Sequence, residues 1–136
     1  MGCDIHLHTE IKVNGEWHHY GNPSMGRWYE LFGVMAGVRR QDKEPIVPPR
    51  GLPDDMTLIT RMDADSWRYD GHSYSWFGPD EIKTLSNWML AQRDDTDWPH
   101  YDLESGWVGY LFGNGWSSWE ENPQVEDIRF IFWFDN

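Results

Sequence analysis

The stretch Asp4-Ile-His-Leu-His-Thr-Glu-Ile-Lys-Val13, followed by Asn14-Gly15 and Glu16-Trp-His-His-Tyr20, decides the fold. Polar groups recur at every second position, Asp4, His6, His8 and Glu10, while Ile5, Leu7, Thr9, Ile11 and Val13 fill the positions between. In an extended strand, residues at i, i+2 and i+4 share a face, so this segment is a strand with a polar and an apolar side. Asn-Gly supplies the two positive φ angles of a type I′ turn, whose twist matches the flanking strands. A two-residue loop then fixes the register: Val13 opposes Glu16, Lys12 opposes Trp17, Ile11 opposes His18 and Glu10 opposes His19. Opposed residues point to the same side of a sheet. His19 therefore joins the polar face, and Trp17 lies beside Lys12. That face extends about 20 Å from Asp4 to Glu10 at roughly 3.3 Å per residue, too far for a single site.

The C-terminal stretch Asp127-Ile-Arg-Phe-Ile-Phe-Trp-Phe-Asp135 is almost continuously apolar and reads as a strand covered on both faces. Its natural partner is the other long strand, at the N-terminus. Between them, Trp28, Leu31, Phe32 and Met35 follow helical spacing over 25–36, with Ser24 as a cap and Gly37 as a stop. Pro79-Asp80-Glu81 begins a second helix with Ile82, Leu85 and Met89 as its buried stripe. A third, shorter helix is expected over 102–112. Residues 38–55 hold four prolines and no periodicity. They read as a long loop. Met56–Thr60 reads as a short strand and 61–78 as irregular. The expected fold is α+β: a small antiparallel sheet of three or four strands, with about three helices mainly on one face and long loops over the other.

Composition narrows the function. The chain has 136 residues, which suits one domain, and a single cysteine, Cys3, which excludes an internal disulfide framework. It has no apolar run near 18 residues and no charged-then-apolar leader, so no membrane association is expected. The net charge of −12 disfavours binding to nucleic-acid backbone. It fits either simple solubility or mimicry of a polyanion toward a basic partner. Ten tryptophans offer core volume and flat faces that stack on bases; Trp98, Trp116 and Trp119, in Gly-, Ser- and Asp-rich surroundings, suit exposed platforms. Arg39, Arg40, Lys43 and Arg50 make the long loop basic, either as a clamp for phosphate or as partners of surface acids.

The candidate chemistry is hydrolytic. Asp4, His6 and His8, joined by the loop pair Asp70 and His72, have the atom types of a zinc, manganese or iron site, in which the metal would activate water. A metal-free alternative uses His6, His8 and His72 as general acid and base around a phosphodiester. Arg39 or Arg50 would hold the phosphate, Trp17 would stack on a base, and Ser73 and His19 would complete the binding group. Ser73 and Ser75 lack the Gly-x-Ser-x-Gly turn of a nucleophilic serine. Cys3 suits either a structural thiol or a nucleophile beside the histidines.

Two resemblances add expectations. Cys-Asp-Ile-His-Leu-His-Thr at 3–9 resembles the opening motif of the polymerase-and-histidinol-phosphatase superfamily, whose two histidines bind catalytic metal ions; the matching positions are His6 and His8. The Asn-Gly hairpin then departs from that family, so only the local chemistry carries over. More broadly, the Met-Gly-Cys-Asp-Ile-His start, Tyr-Glu-Leu-Phe (29–32), Ala-Gly-Val-Arg (36–39), Pro-Arg-Gly-Leu-Pro-Asp (49–54), His-Ser-x-Ser-Trp (72–76) and the Phe-Trp-Phe-Asp-Asn ending resemble a family of small proteins of tailed bacteriophages and prophages. That resemblance implies an accessory, counter-defence role in the cytoplasm of the infected host. The expected function is a small hydrolase of the phosphodiester bonds of a nucleotide signal. The alternatives are a nucleotide-sequestering protein and an acidic inhibitor filling the basic groove of a host defence protein.

Overall fold

A computed structural model describes residues 2–94, 107, 110, 111 and 121–136. In chain order the elements are β1 (Asp4–Val13), β2 (Glu16–Gly21), α1 (Tyr29–Ala36), α2 (Leu58–Ser66), β3 (Gly71–Phe77), α3 (Pro79–Asp94) and β4 (Asp127–Asp135). The strands form one antiparallel sheet in the order β2-β1-β4-β3. This is the expected α+β arrangement, with the N-terminal hairpin at one edge and β4 beside β1. No helix among the described residues is long and apolar enough to cross a membrane. The expected helix over 102–112 and the platforms Trp98, Trp116 and Trp119 fall mostly or wholly outside the described residues.

The hairpin register is the one read from Asn14-Gly15: Val13 faces Glu16, Lys12 faces Trp17, Ile11 faces His18 and Glu10 faces His19. Asn14 and Gly15 have φ of 52° and 78°, as a type I′ turn requires. A Cβ at Gly15 would meet nothing within 4 Å, so only the backbone conformation opposes a side chain there. Gly15→Ala is therefore expected to cost about 1–2 kcal/mol, measurable as a lower denaturant midpoint at unchanged slope.

The apolar side of the sheet carries the larger core. Leu7, Phe130, Phe132 and Phe134 pack there with Phe32 and Met35 of α1 and with Ile82, Leu85 and Met89 of α3. The first helix begins at Tyr29, later than the expected 25, with Trp28 rather than Ser24 at its N-cap. Gly37 closes it at φ 72°, its N–H bonded to the Gly33 carbonyl.

The opposite face departs from expectation. It is covered by α2 together with loop residues Leu52 and Met56, all packing around Ile131, Trp133 and Ala64. Met56–Thr60 is thus no strand: Thr57 stands at the N-cap position of a helix, its hydroxyl given to Glu10 rather than to the helix backbone. The helix was hidden because its large apolar residues Leu58, Ile59 and Met62 face solvent, at 70%, 55% and 63% exposure, while Thr60 and Ala64 face inward. What holds it down is polar. Residues 71–77 are likewise a strand rather than irregular chain. In β3, His72 opposes Phe134 and Ser75 opposes Phe132, so Ser73 and Tyr74 share one partner position. That bulge breaks the alternation by which strands are recognised.

Candidate functional site

The four polar residues of β1 share a face, as their spacing requires, but each meets a different partner. Asp4 accepts from Arg27 Nε and Nη2 at 2.7 and 3.0 Å. His6 Nε2 donates to Asp135 Oδ2 at 2.6 Å, and its ring lies against Trp67 and Trp133. His8, fully buried, uses both ring nitrogens. A carboxylate can only accept, so His8 Nε2 donates to Asp63 Oδ2 (2.7 Å), and Nδ1 accepts from His19 Nε2 at 2.9 Å. Glu10, also fully buried, accepts from Arg129 Nε and Nη2 through Oε1, and from the Thr57 amide and the Thr57 and Thr60 hydroxyls through Oε2. Burial alone would raise the Glu10 pKa. The bonds from Thr57, Thr60 and Arg129 outweigh it and hold the carboxyl below its ordinary range.

The expected metal ligands do not converge. Among the described residues no three His, Cys, Asp or Glu side chains gather as a metal-binding group. Asp70 is exposed in the turn before β3. His72 pairs with Phe134, on the sheet face opposite the one that carries His6 beside Trp133. Asp4, His6, His8, Asp70 and His72 are therefore not brought together as one ligand set.

His19 carries a pH signature. Burial lowers its pKa, the neighbouring His8 lowers it further, and Glu10 opposes both. The unfolded chain binds that proton more readily than the folded one, so folding stability falls as pH drops from about 6.5 through the lower folded pKa. Denaturant midpoints measured from pH 8 to pH 5 should show this step, and His19→Gln should flatten it.

Three of the expected residues do come together, at the sheet end where β1 begins and β4 finishes. Arg39, His72 and Ser73 line a cavity of about 370 Å³ with Gly37, Gln41 and Asn136. Ser73 Oγ lies 3.0 Å from His72 Nδ1, and Asn136 Oδ1 lies 2.5 Å from His72 Nε2. The amide oxygen can only accept, so Nε2 carries the hydrogen and Nδ1 presents its lone pair to the serine hydroxyl. Among the described residues, Asn14, Arg39 and Ser73 are the non-glycine positions with positive φ. Asn14 belongs to the hairpin turn; Arg39 (65°) and Ser73 (56°) both line this cavity. Such conformations cost of order 1–3 kcal/mol each and concentrate at functional sites.

The Arg39 guanidinium packs 5.1 Å from the Tyr29 ring centre. Its segment is held against Gly33, where an added Cβ would sit 2.6 Å from Arg40 Cβ. Cys3 is fully buried; burial is the chief cause raising its pKa, and a hydrogen bond with Arg39 opposes the rise without reversing it. The thiol is thus held protonated, which favours its structural role over nucleophilic attack.

The remaining binding candidates lie elsewhere. Trp17 and Arg50 line a cleft of about 550 Å³ with Lys12, Trp76, Glu81 and Arg129. Its arginines are engaged: Arg129 covers Trp17 at 3.9 Å, and Arg50 covers Trp76 at 3.6 Å while bonding Glu81 at 2.6 Å. Sequence reasoning did not find Asp63, Asp135 or Asn136. The first lies on an unrecognised helix, and the other two belong to the Phe-Trp-Phe-Asp-Asn ending, whose resemblance assigns them no chemistry. No known family, curated protein or solved structure matches the chain.

Proposed function

We propose that the protein is a small hydrolase that cleaves a phosphodiester bond of a nucleotide, at the cavity formed by Arg39, His72, Ser73 and Asn136. The observation that carries this reading is the hydrogen-bond chain from Ser73 through His72 to Asn136, beside an arginine on the same cavity wall. In it, His72 Nδ1 takes the proton of the attacking oxygen, Arg39 holds the phosphate oxygens, and Asn136 fixes the imidazole tautomer. A cavity of about 370 Å³ admits a phosphate and its attached sugar. In the infected cell implied by the phage resemblance, such an activity would remove a nucleotide signal. His6 and His8, each committed to a carboxylate on the other face, take no part in the step.

A second reading is sequestration without cleavage. It is favoured by the separate cleft that brings together Trp17, Arg50 and Lys12. One experiment separates the two. The protein is incubated with a panel of linear and cyclic dinucleotides, then heat-denatured, and the released compounds are identified. Phosphomonoester products support hydrolysis. Intact nucleotide recovered from the protein establishes sequestration instead, and no retained or altered nucleotide removes both readings.

A further inference from the structure

We infer that Ser73 is a covalent nucleophile, so that hydrolysis at this cavity proceeds through a nucleotidyl-serine intermediate, a phosphodiester of the Ser73 hydroxyl, rather than by direct attack of water; the inference rests on the hydrolase reading above for its substrate class. The argument begins with strand geometry. Adjacent residues of a regular strand point to opposite faces, so the side chains of His72 and Ser73 should not meet. They meet here because the β3 bulge inserts an extra residue opposite Trp133, and Ser73 takes a left-handed backbone at φ 56°. That conformation folds Oγ back to 3.0 Å from the imidazole of its own neighbour. A serine has no intrinsic preference for it.

The second support is polarity along the chain of bonds. Asn136 Oδ1 sets the hydrogen on Nε2, which leaves Nδ1 as acceptor for the Ser73 hydroxyl. The base is aligned and the nucleophile is already in its hydrogen bond. The third support is Arg39, the other strained residue of the same wall, whose guanidinium suits the non-bridging oxygens of a phosphate.

The steps balance. Ser73 Oγ attacks phosphorus, the Oγ–P bond forms, and the hydroxyl proton passes to His72 Nδ1. The bond from phosphorus to one ester oxygen breaks, and the departing alkoxide takes that proton to leave as an alcohol. Water then attacks phosphorus and gives a proton to His72. The Oγ–P bond breaks, and Oγ recovers the proton from the imidazolium. The sum is diester plus water giving monoester plus alcohol, with the serine restored.

The test uses the whole chain and an activated fluorophosphonate, which marks a nucleophilic serine whatever its natural substrate: Oγ–P forms, P–F breaks and fluoride leaves. Intact-mass measurement and peptide mapping should find one adduct, on Ser73. Ser73→Gly, which takes the positive φ without strain, and Ser73→Ala should both remain unlabelled and inactive. His72→Ala should label about 100-fold or more slowly. An unlabelled wild type whose turnover persists in Ser73→Gly overturns the inference while leaving His72-assisted attack by water intact. Labelling at Ser73 with no turnover of any dinucleotide keeps the nucleophile and sinks the phosphodiester reading. Labelling at a different residue overturns the inference.

Discussion

Replacing Glu10 with alanine is expected to remove about 3–5 kcal/mol of folding stability, a large share of the roughly 5–15 kcal/mol that holds a domain of this kind together. The reason lies in what is left behind. Arg129 is 5% exposed and loses the carboxylate that engages its Nε and Nη2, retaining Asp55 at 2.8 Å and the face of Trp17. The Thr57 and Thr60 hydroxyls lose their acceptor too. These bonds are the polar anchor of α2, whose inward residues Thr60 and Ala64 bury little apolar surface. The loss should therefore show as protease sensitivity within 58–66 as well as a lower denaturant midpoint. Glu10→Leu with Arg129→Met should recover much of the stability, since removing both charges leaves neither one buried alone. A single Glu10→Ala variant within about 1 kcal/mol of wild type would mean that water replaces the carboxylate, and the anchoring role would fail.

The same residue explains how much of the fold was readable. Two kinds of signal transferred directly from sequence to structure. Alternation placed β1 and its polar face, and Asn14-Gly15 fixed the hairpin to the residue. The helix-closing glycine at 37 and the Pro79-Asp80-Glu81 start were equally direct, because each states a local backbone or dipole requirement. What failed was whatever depended on a distant partner. α2 is amphipathic in reverse, held by Glu10 from 47 and 50 residues away. Periodicity of apolar residues cannot register such a helix. β3 was lost to its own bulge, and the feature that hid it is the one that places Ser73 against His72.

The candidate site divides along the same line. The expected residues were individually chemical, yet their grouping needed the sheet order. His6 and His8 look like a pair in sequence, and each is drawn to its own carboxylate, Asp135 and Asp63. His72 reads as their complement, but the pairing of β3 with β4 turns it to the other face, where Arg39 arrives from the segment after α1. Asn136 could be found only from coordinates. The chain nonetheless gives one local hint: His72 and Ser73 sit inside a Gly-, Ser- and aromatic-rich run with no clean period, which is how a bulged strand reads from outside.

Two histidine variants should then separate in opposite directions. His72→Ala is expected to lower turnover of a phosphodiester substrate by about 10²–10⁴-fold, the range for loss of a general base, with little change in stability, since the ring lines an open cavity. His8→Ala should do the reverse. Its ring is fully buried, stacks on Trp133 at 5.5 Å and bridges Asp63 to His19, so truncation leaves a void and takes one hydrogen bond from each partner, at a cost of about 2–4 kcal/mol. Below its lowered melting temperature the His8 variant should turn over substrate at close to the wild-type rate. Measuring kcat and the denaturant midpoint of both variants side by side gives the decision. A His8 variant that is folded but inactive, beside an active His72 variant, would move the chemistry to the α2 face and overturn the cavity assignment.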